Sequence, residues 1–368
     1  MSDQATLDGT WAQWGRMLSS QAFATAGRMA QAPGLLRRAH EVKQGVTPSE
    51  VVYEEDRLKL RHYIGEHSPR YQTPLIFIYA LVNRPYILDL KKGRSVVASF
   101  VDRGFDTYLV DWGAPGNADR HLTLDDYING YLVNVVDFVR ERTGADNVSI
   151  LGYCMGGTMS AMFTALHPDP VKNLMLLAAP IDFASNDSLL NVWSRQEYFD
   201  VDKFVDAFGN CPPQFLQAAF LLLRPVGNLV EKPLNFYEHM DDPKFLEDFF
   251  TTEGWLNDNI AVPGEVYREF IKYLYQKNLL TQNRMPVGKH IVNLRNITCP
   301  VLNIMAGSDD LVPCCQGMPF NDLVGSSDRK AILLEGSGHI GLAIGGRAQK
   351  EVWPQVSDWL GRRSEKLK

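Results

Sequence analysis

A cysteine at position 154 occupies a place in the sequence that is usual for a catalytic nucleophile. Residues 148–157 read VSILGYCMGG: a short apolar strand, a G-x-C-x-G motif and the start of a helical stretch. This is the layout of a nucleophile elbow, a tight strand-to-helix turn, with sulfur in place of the usual hydroxyl. A thiolate attacks thioesters readily, and its acyl product stays activated for a further transfer. The motif therefore predicts acyl transfer at least as much as hydrolysis.

Such a nucleophile needs a base, and the base needs an acid to orient it. In elbows of this type the acid and then the histidine follow the nucleophile along the chain. Asp309 follows an apolar segment that ends at Gly307, and His339 lies in the glycine-rich turn after the next apolar segment. Asp310 competes for the acid role, but the D-x-hydrophobic-V-P phrase favours Asp309. We predict a triad of Cys154, Asp309 and His339.

Acyl transfer also needs backbone N–H groups that stabilise the oxyanion. One donor in this arrangement is the amide after the nucleophile, which is that of Met155. The other comes from the loop after an early strand, and we assign it to Val82. The alternative for Val82 is a purely structural role in the core.

The composition describes an ordinary globular protein. Among 368 residues, 45% are hydrophobic and 22% are charged, which is enough for one large domain with an insertion. The formal net charge of −6 argues against a general nucleic-acid-binding surface, although it allows a local basic pocket. We therefore expect no nucleic-acid partner.

Cysteine usage and hydropathy bear on localisation. The cysteines are Cys154, Cys211, Cys299, Cys314 and Cys315. They form no C-x-x-C pair and no His-paired metal spacing, so we expect reduced thiols, no metal and a cytoplasmic protein. We find no signal peptide and no apolar run long enough to span a membrane.

Apolar strand-like runs alternate with helical stretches along much of the chain, which predicts an α/β fold with a mostly parallel sheet flanked by helices. The alternation stops in a block rich in Phe, Leu, Tyr and Trp at residues 181–290, which we expect to be a mainly helical cap or lid. The core would then comprise residues 46–180 and 291–368. Residues 1–45 would form an N-terminal amphipathic helical segment, which either packs on the body or faces a partner.

From about residue 45 onward, the chain resembles polyhydroxyalkanoate synthases of the two-component class III or class IV type. The motifs that carry the resemblance are YALVNRPYI at residues 79–87, VDWG at 110–113, LTLDDYI at 122–128, GYCMGGT at 152–158, Pro263-Gly264 followed by Tyr267-Arg268, and GHIG at 338–341. The box around Cys154 is closer to class IV, whereas GHIG and Asn83-Arg84-Pro85 are closer to class III. The subclass is therefore left open.

The resemblance implies an α/β-hydrolase fold and polymerisation of (R)-3-hydroxyacyl-CoA, usually 3-hydroxybutyryl-CoA, with release of CoA. Cys154 would carry the growing polyester as a thioester, and His339 would deprotonate the thiol. Asp309 would also help to activate the substrate hydroxyl. Coenzyme A would be a leaving group, and no cofactor is expected. Asp310 stands where related synthases often have a histidine, so no role of that histidine is carried over.

The resemblance also implies partners. These are a small synthase subunit of the PhaE or PhaR type, a second copy of the chain in a homodimer, and the surface of a cytoplasmic polyester granule. Two alternatives remain. A dienelactone-hydrolase-like cysteine hydrolase has a similar elbow but lacks a large insertion, and a non-catalytic hydrolase-fold binding protein would tend to lose a triad residue.

Overall fold

The structure is a computed structural model that describes residues 45–185 and 188–367. The described chain falls into two compact units, a small one at residues 226–254 and a large one formed by the rest. The predicted amphipathic segment at residues 1–45 lies outside the described residues, apart from Gly45.

Twelve strands occur in the described chain. They are β1 (Ser49–Glu55), β2 (Leu58–Tyr63), β3 (Leu75–Ile78), β4 (Asp89–Lys91), β5 (Arg94–Ser95), β6 (Thr107–Asp111), β7 (Val148–Tyr153), β8 (Val171–Leu177), β9 (Met285–Val287), β10 (His290–Val292), β11 (Val301–Ala306) and β12 (Arg329–Leu334). Eight of them form one sheet in the order β1-β2-β6-β3-β7-β8-β11-β12. The other four form two small antiparallel pairs, β4 with β5 and β9 with β10.

Six neighbouring strands of the main sheet, in the order β6-β3-β7-β8-β11-β12, run parallel. Strands β3, β7 and β11 are buried along their whole length, as expected for strands that are covered on both faces. Strands β1 and β2 form a hairpin, pair antiparallel with each other and extend the sheet beyond β6. The predicted α/β architecture is thus confirmed.

Helices connect the strands. They are α1 (Val96–Val101), α2 (Leu132–Thr143), α3 (Met155–Leu166), α4 (Leu189–Trp193), α5 (Val201–Phe208), α6 (Pro213–Leu223), α7 (Lys232–His239), α8 (Pro243–Asn257), α9 (Gly264–Glu269), α10 (Cys314–Gly317), α11 (Phe320–Leu323), α12 (His339–Ile344) and α13 (Trp353–Gly361). Wider π-type turns lie at Asp126–Tyr131, Gly227–Glu231, Phe270–Tyr275 and Ala348–Val352, and 3-10 turns at Pro85–Leu88, Asn117–His121 and Leu294–Asn296.

Between β8 and β11 the described chain contains α4 to α9 and the hairpin of β9 and β10. The sequence predicted mostly helix at residues 181–290 and gave no indication of this hairpin. Its strands are only three residues long, which is too short for an alternating pattern to appear. In the small unit, Met240 and Leu246 are buried against Phe236, Phe245 and Phe250.

The apolar run at residues 74–81 divides into a strand and a buried loop. Strand β3 ends at Ile78, and residues 79–84 have no regular secondary structure although most of them are buried. Continuous hydrophobicity indicates burial on both sides, but it does not show where regular pairing ends. This loop leads into the candidate site.

In residues 45–185 and 188–367, no helix is both long enough and apolar enough to span a bilayer.

Candidate active site

The elbow at Cys154 has a strained backbone. Strand β7 is fully buried up to Tyr153, and helix α3 begins at Met155. Between them Cys154 has φ 54° and ψ −128°, a conformation that non-glycine residues seldom adopt. Its N–H donates a hydrogen bond to the carbonyl of Leu177 at 2.9 Å, and its own carbonyl accepts from Gly157 N–H at 2.9 Å. These bonds hold the thiol at the carboxyl end of the parallel sheet.

Two glycines make this turn possible. A side chain at Gly152 would overlap Ser160 and the backbone of Gly157, and a side chain at Gly156 would overlap the backbone at Ile78 and Tyr79. The close approach at Gly156 also brings the start of the loop after β3 against the start of α3. The same contact therefore places this loop beside the elbow.

The structure brings His339 and Asp309 into direct contact. The Nδ1 atom of His339 lies 2.7 Å from Oδ2 of Asp309. The other carboxylate oxygen accepts hydrogen bonds from the N–H groups of Leu311 and Val312, both at 2.9 Å. The Asp309 side chain is fully buried. A carboxylate oxygen accepts hydrogen bonds, so the proton in this contact lies on Nδ1, and Nε2 is the ring nitrogen left for the nucleophile.

The neighbouring Asp310 points elsewhere. Its side chain is 52% exposed and pairs with Arg224 at 3.3 Å, and the Arg224 side chain is 60% exposed. An exposed pair of this kind contributes little to stability. Of the two aspartates that competed in the sequence, Asp309 is the one that orients His339.

Cys154 lies close enough to the His339 imidazole to raise its pKa. Burial by itself lowers the pKa of His339, but the charges and hydrogen bonds of Asp309 and Cys154 outweigh it and hold the pKa well above its usual 6.5. Acidic groups on both sides favour the imidazolium form. Asp309 and His339 are thus in direct contact, and Cys154 acts on the same imidazole.

Two backbone N–H groups near Cys154 have no hydrogen-bond acceptor among the described residues. They belong to Met155, the first residue of α3, and to Val82 in the loop after β3. The N–H of a first helical residue points out of the helix, where it can meet a negative charge. These are the groups that the sequence assigned to an oxyanion hole. Donation from both to one oxyanion remains a prediction.

The comparisons with known proteins agree on a family. A family model of the α/β-hydrolase fold matches residues 73–344. A poly(3-hydroxyalkanoate) polymerase subunit PhaC from Haloferax mediterranei is 44% identical over 360 residues, which cover 98% of this chain and 72% of that protein. The PhaC subunit of Allochromatium vinosum is 42% identical and is covered over 94% of its length, with 91% of this chain aligned.

The chain belongs to the poly(3-hydroxyalkanoate) polymerase family. It is therefore an acyltransferase, and its resemblance to polyhydroxyalkanoate synthases is confirmed. Solved structures support the fold alone. A Sulfolobus solfataricus protein assigned as a lipase aligns with a TM-score of 0.54 at 16% identity, covering 86% of this chain and 99% of its own. The esterase Est1E from Butyrivibrio proteoclasticus aligns with a TM-score of 0.50 at 15% identity, covering 86% of this chain and 98% of its own.

Aromatic residues that the sequence did not single out surround the triad of this polymerase-family chain. The Tyr153 ring stacks on the His339 ring, with centroids 5.0 Å apart and planes 22° apart. Its hydroxyl donates to the His339 carbonyl at 3.2 Å. Burial raises the pKa of Tyr79 and of Tyr275, and the nearby Cys154 raises both further. Only Tyr153 had a signal in the sequence, since it occupies the variable position before the nucleophile.

No metal centre is built into the described part of this polymerase. It contains no group of three or more His, Cys, Asp or Glu side chains that could hold a metal ion. All five cysteines have free thiols.

Proposed function

We propose that the protein polymerises (R)-3-hydroxyacyl-CoA thioesters, most favourably 3-hydroxybutyryl-CoA, through a covalent intermediate on Cys154. The observation that carries this proposal is the 2.7 Å contact between Asp309 and His339 at the carboxyl end of the sheet, together with the effect of Cys154 on the same imidazole. Membership in the polymerase family supports the reaction class.

The first step moves the acyl group from CoA to the protein. His339 holds the proton that Cys154 gives up, and the thiolate attacks the thioester carbonyl. The resulting oxyanion is stabilised by the N–H groups of Val82 and Met155. The carbon–sulfur bond to CoA then breaks, and the CoA thiolate takes the proton from His339. One thioester replaces another, so the activation of the acyl group is retained.

The second step extends the polymer. The 3-hydroxyl of another acyl unit loses its proton to His339 and attacks the carbonyl carbon of an acyl group that is held as a thioester. An oxoester forms, and the sulfur that leaves takes the proton back from His339. This step is downhill because a thioester is more activated than an oxoester. A serine nucleophile would store the chain as an oxoester and lose this driving force. Asp309 keeps His339 oriented throughout and supports the hydroxyl step.

The same proposal covers the surroundings of the reaction. Coenzyme A acts only as a leaving group, and no cofactor takes part. The helical segment at residues 181–290 acts as a cap that excludes water, which would otherwise release the chain by hydrolysis. A small partner subunit of the PhaE or PhaR type, a homodimer and a polyester granule complete the working assembly.

The test is an assay with (R)-3-hydroxybutyryl-CoA, with and without the small partner subunit. Free CoA is measured by chromatography, and polymer by precipitation and depolymerisation. We expect both products with the wild-type chain and neither with Cys154→Ala. The matched control is Cys299→Ala, because this thiol precedes β11 at the opposite end of the sheet. Its activity should stay within about twofold of wild type.

Release of CoA with soluble 3-hydroxybutyrate and no polymer, even with the partner present, would identify a hydrolase instead. Turnover by Cys154→Ala would show that the Cys154 sulfur is not the nucleophile.

A further inference from the structure

Two indole N–H groups hold the ends of the loop that contains Val82. At one end, Trp112 Nε1 donates to the carbonyl of Tyr79 at 2.8 Å. At the other end, Trp255 Nε1 donates to the carbonyl of Arg84 at 2.8 Å. The two tryptophans come from different places. Trp112 directly follows β6 in the core, whereas Trp255 lies in the last turn of α8, between β8 and β11.

Between those two ends the loop lacks backbone hydrogen bonds. The backbone of residues 80–83 makes no hydrogen bond with any other residue in the described chain. Asn83 is 6% exposed, has φ 62°, and keeps its side-chain oxygen without a partner. Buried backbone groups are nearly always paired, so an unpaired buried stretch calls for an explanation. Besides the packing of its buried side chains, the loop therefore depends on the hydrogen bonds at its two ends.

A second contact reinforces the Trp255 end. Asp258 Oδ2 accepts a hydrogen bond from the Tyr86 hydroxyl at 3.1 Å, and Asp258 Oδ1 lies 3.5 Å from Arg84 Nε. The Arg84 and Asp258 side chains are 32% and 41% exposed, so the ion pair alone contributes little. Trp255 is 4% exposed. A part-buried carbonyl that loses its donor is the more costly defect, and Trp255 is therefore the stronger of the two supports.

We propose that Trp255, assisted by Asp258, is a positioning residue for the oxyanion donor at Val82. This inference rests on the proposed function, in which the Val82 N–H stabilises the tetrahedral intermediate. The bond to Arg84 lies two residues beyond Val82, so losing it lets the N–H drift from the oxyanion. The segment at residues 255–258 thereby couples the end of α8 to the chemical step. It acts on kcat, because an oxyanion forms only during reaction.

The experiment compares Trp255→Phe with Trp359→Phe. Both indoles are buried, but Nε1 of Trp359 makes no hydrogen bond in the described chain, so its replacement removes ring atoms and part of a cation–π contact with Arg363 but no hydrogen bond. Turnover of (R)-3-hydroxybutyryl-CoA is followed with the full chain and its partner subunit. Alkylation of Cys154 by iodoacetamide is measured in parallel. For Trp255→Phe we expect kcat to fall about 10- to 100-fold, with KM within about twofold and an unchanged alkylation rate.

The Asp258→Asn and Tyr86→Phe double variant tests the same end without touching a buried ring, and we expect kcat to fall about threefold. Equal kcat for Trp255→Phe and Trp359→Phe would overturn the inference. So would a parallel loss of alkylation, because it would show that the triad itself is disturbed. A wild-type chain that releases no CoA would instead refute the proposed function, which separates the two failures.

Discussion

Asp309 holds His339 at a distance of 2.7 Å while both of its carboxylate oxygens are fully engaged. Two backbone N–H groups fix one oxygen, so the other can point in only one direction. The imidazole is thereby oriented with Nε2 toward Cys154. Its neighbour Asp310, one residue along the chain, points to solvent and pairs with Arg224. A single step in sequence therefore separates a positioning acid from a surface acid.

The first prediction compares the two aspartates. Asp309→Asn leaves an amide that can present its N–H to His339 and favour the wrong tautomer, so we expect kcat to fall by about 10² to 10⁴. Asp310→Asn removes one exposed charge and should change kcat by less than about twofold. Steady-state CoA release measures both. Equal losses in the two variants would mean that the Asp309–His339 contact does not orient the base.

The second prediction concerns pH. The folded-state pKa of His339 is raised above 6.5 because Asp309 and Cys154 outweigh the effect of burial. This contribution to stability is fully present below pH 6.5 and is lost as pH rises toward the raised pKa. Asp309→Asn removes the carboxylate and lowers the His339 pKa. The stability difference between wild type and variant should therefore shrink above pH 6.5, by up to about 1.4 kcal/mol per pH unit.

Urea unfolding at pH 6 and pH 9 measures that difference, and the His339 ring resonances report the protonation state directly. We expect the wild-type ring to remain protonated through neutral pH and the variant ring to lose its proton at lower pH. A stability difference that stays constant with pH would contradict this account.

The third prediction is selective labelling of thiols. Cys154 is partly exposed beside His339, whereas Cys211 is fully buried and burial raises the pKa of Cys211 to about 12. Only the thiolate reacts with iodoacetamide at a useful rate. At neutral pH we expect Cys154 to be modified at least about tenfold faster than Cys211. Peptide mapping by mass spectrometry measures both rates, and Cys154→Ala provides the control. Equal rates would show that the elbow thiol is not accessible.

Much of the fold followed from local patterns. Apolar runs predicted β3, β6, β7, β8 and β11 because strands that are covered on both faces need continuous hydrophobicity. The run that predicted β12 forms the edge strand of the sheet, and most of its residues are exposed. The positions of Cys154, Asp309 and His339 could be predicted because each follows a strand, and parallel strands bring their carboxyl ends to one edge.

The contacts around the triad could not be predicted in the same way. Trp255 and Arg84 are 171 positions apart, and no periodicity links an indole N–H to a distant carbonyl. Tyr275 lies near Cys154 only because the chain between β8 and β11 returns to the elbow. The local turn at residues 309–312 buries Asp309 and exposes Asp310. Two adjacent residues of the same type give no sign in the sequence of which one will be buried.

The fourth prediction tests the elbow itself. In Gly156→Ala the new methyl group would overlap the backbone at Ile78, the last residue of the buried strand β3, and at Tyr79, the buried first residue of the next loop, and neither can readily move aside. We expect a loss of about 3 kcal/mol in unfolding free energy and a loss of turnover, because the displaced strand leads into the Val82 loop. Gly130→Ala is the matched control. Gly130 lies in the helical segment Asp126–Tyr131 with open space around it.

An alanine at position 130 should leave turnover unchanged and raise stability by about 0.5–1 kcal/mol, because glycine loses more backbone entropy on folding. Urea unfolding and CoA release are measured on both variants. If Gly156→Ala were as stable and active as Gly130→Ala, the close approach of α3 to β3 would not exist in solution. Tight packing at Gly156 would then no longer explain how the Val82 loop is brought beside Cys154.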